Sequence, residues 1–297
     1  MHRIYLPGIH KNIALLSSIT HASDLRGVLP QDSLILIDKA VAKSSAARNF
    51  INHITAGRAA TVEVITAGEE IKTLDYAEKF LSELKAKEKI YAGMLVIGGG
   101  TLINLANWTA RELSDGGQKP LPYYVAPSTI LAVADVGYGS KGNLNASGIK
   151  HKVRCYHDPD AIISIPDILI DLPDAEIKRG LAECLKHALL QDYAYPGCGK
   201  DWVSFETIDL LMAQRHPDRA LASLQSFVTM FAKAQILQID KTEQTPAGSL
   251  LSYGHLHAHA LEMATDFSMH HGDSIIFGML VDLKLAGNVG LYKKVLS

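Results

Sequence analysis

Three short apolar runs, each followed by a stretch of helical character, dominate the N-terminal half of the chain. They are Ser33-Leu-Ile-Leu-Ile-Asp38, Thr61-Val-Glu-Val-Ile-Thr66 and Gly93-Met-Leu-Val-Ile-Gly98. Each has the length and residue types of a strand. A helical stretch follows the first through about residue 56. The turn 67–72 and a charged amphipathic helix to about Lys87 follow the second. Strands alternating with helices imply a parallel sheet, so the expectation is an α/β, Rossmann-like N-terminal domain. The third run ends in Gly98-Gly99-Gly100. Bare backbone there lets a pyrophosphate approach, and the next helix offers unpaired N–H groups and a positive dipole end. The triplet is not the G-x-G-x-x-G fingerprint, and a tight strand-to-helix turn uses the same residues.

From Asp174 onward the strand signal stops and the periodicity is helical, over about 175–192, 203–213, 217–240, 255–266 and 273–290, punctuated by Pro173 and by Pro196-Gly-Cys-Gly199. The predicted boundary falls between 165 and 175. That gives a Rossmann-like domain over 1–170 and an all-α domain over 171–297, and 297 residues are enough for both. A cleft between two such halves is a usual place for a small-molecule site.

Composition narrows the function classes. The formal net charge is −2 and no basic block is visible, which argues against nucleic-acid and membrane-surface binding. The segment Met1-His-Arg-Ile-Tyr-Leu-Pro-Gly8 has no signal-peptide core, and no apolar run is long enough to span a bilayer. Cys155, Cys184 and Cys198 form an odd set without C-x-x-C spacing and read as reduced thiols. The expected location is the cytoplasm.

Chemistry concentrates in two places. Gly254-His255-Leu-His257-Ala-His259-Ala-Leu-Glu262 is followed by His270-His271-Gly-Asp273. His255 and His259 are four apart and share a helix face, whereas His257 points elsewhere. Neutral imidazole is the commonest metal ligand. His271 opens the next helix, with His270 as a competitor for the same place. Upstream, Gly180-Leu-Ala-Glu183-Cys-Leu-Lys186 puts a carboxylate and an amine on one face of a helix that is apolar nearly all round. A surface ion pair is the plain reading of that spacing, but a buried charge needs a partner or a metal. One carboxylate and two imidazoles with a vacant side is the ligand set of a catalytic divalent ion. Asp135 and Lys141 lie in the glycine-rich Ala134–Asn143 segment, with Lys150-His151-Lys152 close behind; by themselves these read as a solvated loop.

Together these motifs resemble one family. Gly68-Glu-Glu-Ile-Lys-Thr73, Gly98-Gly-Gly100, Pro127-Ser-Thr129, Asp135 with Lys141, Gly180–Lys186, Gly254-His255 with His259–Glu262, and His271-Gly-Asp273 look like the 3-dehydroquinate synthases, which belong to the sugar phosphate cyclases. The 2-deoxy-scyllo-inosose synthases are a close cousin. The likeness runs over roughly residues 30 to 290. It implies a Rossmann-like domain plus a helical domain, a homodimer, NAD, and zinc or cobalt held by Glu183, His255 and His271. Asp38, Glu69, Lys72, Gly99, Gly100, Thr101, Asn104, Ser128, Thr129, Lys141 and Lys150 fall on the cofactor-binding motifs. Asp135, Lys141, Lys186, Lys233 and His259 fall on the substrate and proton-transfer motifs.

The chain departs from the family at specificity positions. Asn104 stands where Asp is usual, as in the deoxyinosose branch, and Asp115 stands where an Arg normally reaches a phosphate. Lys150-His151 replaces a Lys-Asn pair, and Gly248 and Ser252 replace Arg and Asn. Arg suits phosphate because its planar fork binds oxygens bidentately, and Asp would repel a dianion. The sequence ends at Ser297, whereas family members usually run further and draw another lysine from that segment. The resemblance therefore implies an NAD- and metal-dependent sugar phosphate cyclase of the 3-dehydroquinate synthase type with a non-standard substrate, a sugar phosphate or cyclitol. The rival readings are a metal-dependent NAD oxidoreductase acting on a polyol or cyclitol, and a non-catalytic relative.

Overall fold

A computed structural model describes residues 2–6, 11–15, 29–114, 120–137, 141–194, 203–243 and 250–296, with side chains over these ranges except at 2–6, 11–15, 191–194, 235 and 238–243. Asp115, Cys198, the 196–199 loop and Gly248 lie outside the described residues. The chain divides into two compact units, Met1–Leu172 and Pro173–Ser297.

The first unit is built on a seven-stranded sheet. Its strands are β1 (His2–Leu6), β2 (Lys11–Leu15), β3 (Ser33–Asp38), β4 (Thr61–Ile65), β5 (Gly93–Gly98), β6 (Tyr123–Pro127) and β9 (Ala161–Ser164), in the spatial order β1-β2-β9-β6-β5-β3-β4. Every pairing from β2 to β4 is parallel, and only β1 runs antiparallel to its neighbour. Parallel central strands are covered on both faces, which is why β3 and β5 are apolar at nearly every position. The period of two sorts them. Leu34, Leu36 and Val96 pack on one face with Leu102 and Phe80; Ile35, Ile37, Leu95 and Ile97 pack on the other with Phe50 and Ile54. The first face is covered by α2 (Leu74–Lys85) and α3 (Gly100–Leu113), the second by α1 (Ser45–Thr55) and α4 (Pro166–Ile170). Ser44 and Thr73 cap α1 and α2 by accepting from the N–H groups of Ala47 and Tyr76.

The order of growth positions a crevice. β4 adds to one side of β3, and β5 then returns to the other side. The direction of winding therefore reverses between the carboxyl ends of β3 and β5, at Asp38 and Gly98. Open parallel sheets bind ligands at such a switch point.

The solvated loop expected around Lys141 is instead a hairpin. β7 (Lys141–Ala146) and β8 (Ile149–Tyr156) pair antiparallel. Between them, Ser147 and Gly148 sit at φ +52 and +73, the mirror-image turn that matches strand twist. The sequence KGNLNA has no apolar alternation, so it gives no strand signal. Asp135 lies in a wide helical turn, Ala132–Val136, closed by Gly137 N–H donating to Ala132 O at 2.6 Å.

The second unit is helical throughout its described residues: α5 (Asp174–Ala194), α6 (Phe205–Ala213), α7 (Arg219–Glu243), α8 (His255–Ala264), α9 (His271–Leu285) and α10 (Val289–Leu296). The single helix expected over 273–290 is two. Gly287, at φ +68, donates to Lys284 O at 3.1 Å while Asn288 donates to Leu283 O at 3.0 Å. That pair of bonds is a glycine-terminated helix end. Among the described residues no helix is long and apolar enough to cross a membrane.

Candidate functional site

Glu183 lies in α5 between Leu181, Ala182, Cys184 and Leu185, all buried, and is itself 0% exposed. A carboxylate there must be neutralised or paired. Lys186, one turn on and 1% exposed, places Nζ 2.5 Å from Glu183 Oε2 and also donates to Leu251 O at 3.0 Å. Burial by itself would raise the Glu183 carboxyl. The Lys186 ammonium, then His271 and His255, outweigh it and hold the group well below the usual carboxylate range.

Two imidazoles face the other oxygen. His255 opens α8 and His271 opens α9, and the Nε2 atom of each lies 3.7 Å from Glu183 Oε1. Their opposite nitrogens are already committed. His255 Nδ1 donates to Tyr253 O at 3.1 Å, since a carbonyl can only accept. His271 Nδ1 donates to Glu262 Oε1 at 2.7 Å, and that oxygen also accepts from Ser274 Oγ at 2.7 Å. In the neutral rings those Nδ1 protons are the only ones, so both Nε2 atoms then turn lone pairs inward; in the cationic rings the same atoms face Glu183 as donors.

These residues fit a divalent ion. The ligand atoms of Glu183, His255 and His271 all lie within 4.8 Å of one another. Tetrahedral bonds of about 2.1 Å put ligand atoms roughly 3.4 Å apart, so the 3.7 Å separations need only a small contraction. Glu183 Oε1 is sealed from solvent, with no donor in hydrogen-bond geometry among the described residues. Glu262 stands behind His271 as a carboxylate that fixes ring orientation, an arrangement typical of metal-ligating histidines. Glu262, with His259 and His271, also forms a second close group. Its Oε1 is already taken by two donors, so it serves better as the buttress.

Three glycines permit the convergence. A Cβ on Gly272 would lie 2.2 Å from Arg179 O, and one on Gly278 would lie 1.9 Å from Gly254 O. The start of α9 therefore abuts α5 backbone, and its middle abuts the start of α8. Gly254 itself takes φ +75, a left-handed turn that launches α8. His259 joins the cluster, its ring centroid 5.4 Å from that of His255 and 6.1 Å from that of His271. His270 is exposed, on extended backbone ahead of α9, and His257 faces Asp282. Lys233 is half-buried in α7.

In the α/β unit the remaining candidates gather at the carboxyl ends of β3, β5 and β6. Asp38 Oδ1 accepts from Ala40 N at 2.9 Å. Gly99 precedes α3 with no side chain capping it, and a Cβ there would already touch Thr129 at 3.4 Å. Thr101 follows in the first turn of α3. Ser128 is fully buried with no hydrogen-bond partner for its hydroxyl among the described residues, and Thr129 Oγ1 accepts from Ala132 N at 3.0 Å. Asn104 is used internally. It donates to Gly100 O at 2.7 Å and accepts from Asn143 N at 2.6 Å, which ties the hairpin to α3.

A polar cluster lies where the hairpin meets residues 69–73. Lys72 Nζ is 3.0 Å from His151 Nε2 and 3.9 Å from Glu69 Oε1. Asn145 joins the two segments by donating to Glu69 at 3.3 Å and accepting from His151 N at 3.0 Å. Burial lowers the Lys72 ammonium, an effect partly opposed by Glu69 and Asp135. Burial, then repulsion by Lys72, brings Lys150 down to about 8, against the pull of Glu69. His151 holds φ +54, a conformation uncommon outside glycine that favours functional sites. Lys141 is exposed at the start of β7.

The sequence reading did not single out Glu262 or Asp282, and it noted His151 only as a departure. The spacing His259–Glu262 was visible, but nothing in it says that the carboxylate backs His271. Asp282 carries no local signal.

Known proteins resemble this chain along most of its length. Residues 62–179 match the family model for the 3-dehydroquinate synthase N-terminal domain, and 180–296 match that for the C-terminal domain. The 3-dehydroquinate synthase of Microcystis aeruginosa is 29% identical over 241 residues, covering 80% of this chain, which spans 62% of that relative's length. Among solved structures, 2-epi-5-epi-valiolone synthase from Streptomyces hygroscopicus, with NAD+ and Zn2+ bound, superposes with a TM-score of 0.76 at 24% identity, covering 100% of this chain and 81% of that one. A 2-deoxy-scyllo-inosose synthase complexed with carbaglucose-6-phosphate, NAD+ and Co2+ gives 0.74 at 22% identity, covering 95% and 75%. At such identities the structures speak for the fold: a Rossmann-like parallel sheet with helices, followed by a helical region. With the two family models running in register from residue 62 to 296, this chain belongs to the 3-dehydroquinate synthase family.

Proposed function

We propose that the chain is an NAD- and divalent-metal-dependent sugar phosphate cyclase of the 3-dehydroquinate synthase type, with a substrate other than that of the housekeeping enzyme. The observation that carries it is the pair of committed Nδ1 protons, which leaves His255 Nε2 and His271 Nε2 facing one oxygen of Glu183. Bound zinc or cobalt would supply Lewis-acid polarisation of a ring hydroxyl, and bound NAD would supply a reversible hydride acceptor. The protein holds and polarises. Lys186 keeps Glu183 ionised, and Glu262 keeps His271 in one tautomer. His259, beside both ligand rings, is the candidate proton carrier, with Asp135, Lys141 and Lys233 as further substrate groups. Ser128, Thr129 and the N–H groups opening α3 are the donors for a cofactor pyrophosphate. Asp38, Glu69, Lys72 and Lys150 complete the cofactor set. We assign a homodimer and a cytoplasmic location, the latter supported by the buried, free thiols of Cys155 and Cys184.

The test is to mix protein, NAD and zinc or cobalt with candidate sugar phosphates. Release of inorganic phosphate without net NADH is expected, because the hydride returns. Accumulating NADH on unphosphorylated polyols would replace this reading with the oxidoreductase one.

Lys150 makes a separate prediction. With its ammonium titrating at about 8 and the residue assigned to the cofactor set, NAD binds more weakly as the pH rises through that value, because a positive charge that attracts the anionic cofactor is lost. Loss of one charge-assisted contact is worth about tenfold in affinity between roughly pH 7 and 9.5. Titration of NAD by fluorescence across that range checks it. Lys150→Gln should bind weakly with a flat profile, and a wild-type profile that is flat would refute the assignment.

A further inference from the structure

Outside the ligand cluster, Asp282 makes a contact that no role assigned above requires. It lies near the end of α9, eleven residues after His271, and both of its oxygens reach the start of α8. Oδ2 accepts from Gly254 N–H at 2.8 Å, and Oδ1 accepts from His257 Nδ1 at 2.8 Å. α8 has no side-chain cap of its own, because the residue in the cap position is Gly254. A helix start left unsatisfied frays; here a carboxylate from the neighbouring helix supplies the acceptor, and its charge suits the positive end of α8. The same place is where Gly278 of α9 comes nearest to Gly254, with no room for a Cβ.

We propose that Asp282, acting with His257, is a positioning residue for the metal centre. It fixes the backbone of Gly254, and so the take-off of His255, against α9, the helix whose first residue is His271. Both imidazole ligands are then referenced to one rigid element. His271 is attached to it covalently, and His255 is held to it by the bridge Gly254–Asp282–His257. His257 thereby gains a function although its ring is not a ligand. The inference rests on the metal reading above and extends it to residues that never touch the ion.

The experiment uses the full-length protein, stripped by chelator and titrated with Co2+, with the visible absorption of the bound ion as the readout. Asp282→Asn keeps the shape but puts an amide donor against Gly254 N–H or His257. Partners behind metal ligands typically govern affinity by 10–100-fold. Asp282→Asn should therefore bind Co2+ about 10–100-fold more weakly, with a shifted cobalt band and with NAD affinity and circular dichroism unchanged. His257→Ala, at a site where the side chain is 30% exposed, tests the same bridge without burying an unpaired group, and should move the band in the same direction by a smaller factor. Wild-type cobalt affinity and an unshifted band in both variants would overturn the positioning role while leaving the metal centre intact. A folded wild type that takes up no Co2+ would instead sink the metal centre, and this proposal with it.

Discussion

Glu183→Gln is expected to abolish zinc and cobalt retention and to lower the stability of the metal-free protein by about 3–5 kcal/mol, the usual cost of removing one partner of a buried ion pair. The reason is the company Glu183 keeps. Its carboxylate and the Lys186 ammonium are both almost wholly sealed, 2.5 Å apart, so the amide leaves a buried lysine without its anion. Urea unfolding of chelator-treated protein measures the stability, and elemental analysis measures the metal. The double variant Glu183→Leu/Lys186→Met separates the two effects. Replacing both charges of a buried pair by well-packed hydrophobic residues is often nearly neutral or stabilising, so stability should largely return while metal binding does not. If the double variant retained stoichiometric metal, Glu183 would not be a ligand.

Gly278→Ala is the second large effect. The added Cβ would lie 1.9 Å from Gly254 O, 2.8 Å from Gly254 C and 3.1 Å from Ala258 N, and every one of these is backbone. No side chain can rotate away, so α8 and α9 must separate. Overpacking of this kind costs about 1–3 kcal/mol. The separation also carries His255 Nε2 away from Glu183, so weakened cobalt binding should accompany the loss of stability. Gly290→Ala is the control. Its nearest neighbour would be Asn288 Oδ1 at 3.9 Å, and it lies within α10, where alanine is the better helix former. Equal destabilisation by both variants would mean that the close approach of α8 and α9 is not what Gly278 secures.

The strands β3, β4 and β5 were legible because each is a compact apolar run between helices. β6, whose Tyr123-Tyr-Val-Ala-Pro127 ends in proline, β9 with four residues, and the polar hairpin β7–β8 were not. Their pairing depends on neighbours distant in sequence, and a short or polar strand leaves no periodicity by itself. The break at Gly287 was missed because α9 and α10 continue one apolar pattern across the glycine. In the site, Glu183, Lys186, His255 and His259 were readable from helical spacing, since residues three or four apart must share a face. Spacing by itself leaves His270 and His271 open, and the family resemblance picks His271; α9 begins at that residue, with His270 exposed ahead of it.

The sequence alone determined which residues share a helix face, where an apolar run makes a buried strand, and which side chains have the chemistry to grip an ion or a pyrophosphate. These follow from backbone geometry over a few residues, and the family likeness read from the motifs supplied the roles. Only the tertiary structure decided that Glu183 Oε1 stands equidistant from two imidazoles, that Glu262 accepts from one of them, that Asp282 bridges Gly254 and His257, and that His151 leans on Lys72. Helical period fixes direction around an axis but says nothing about how closely two axes approach. That distance is set where glycine backbones touch, at Gly272 against Arg179 and Gly278 against Gly254, contacts that exist only once the chain has packed.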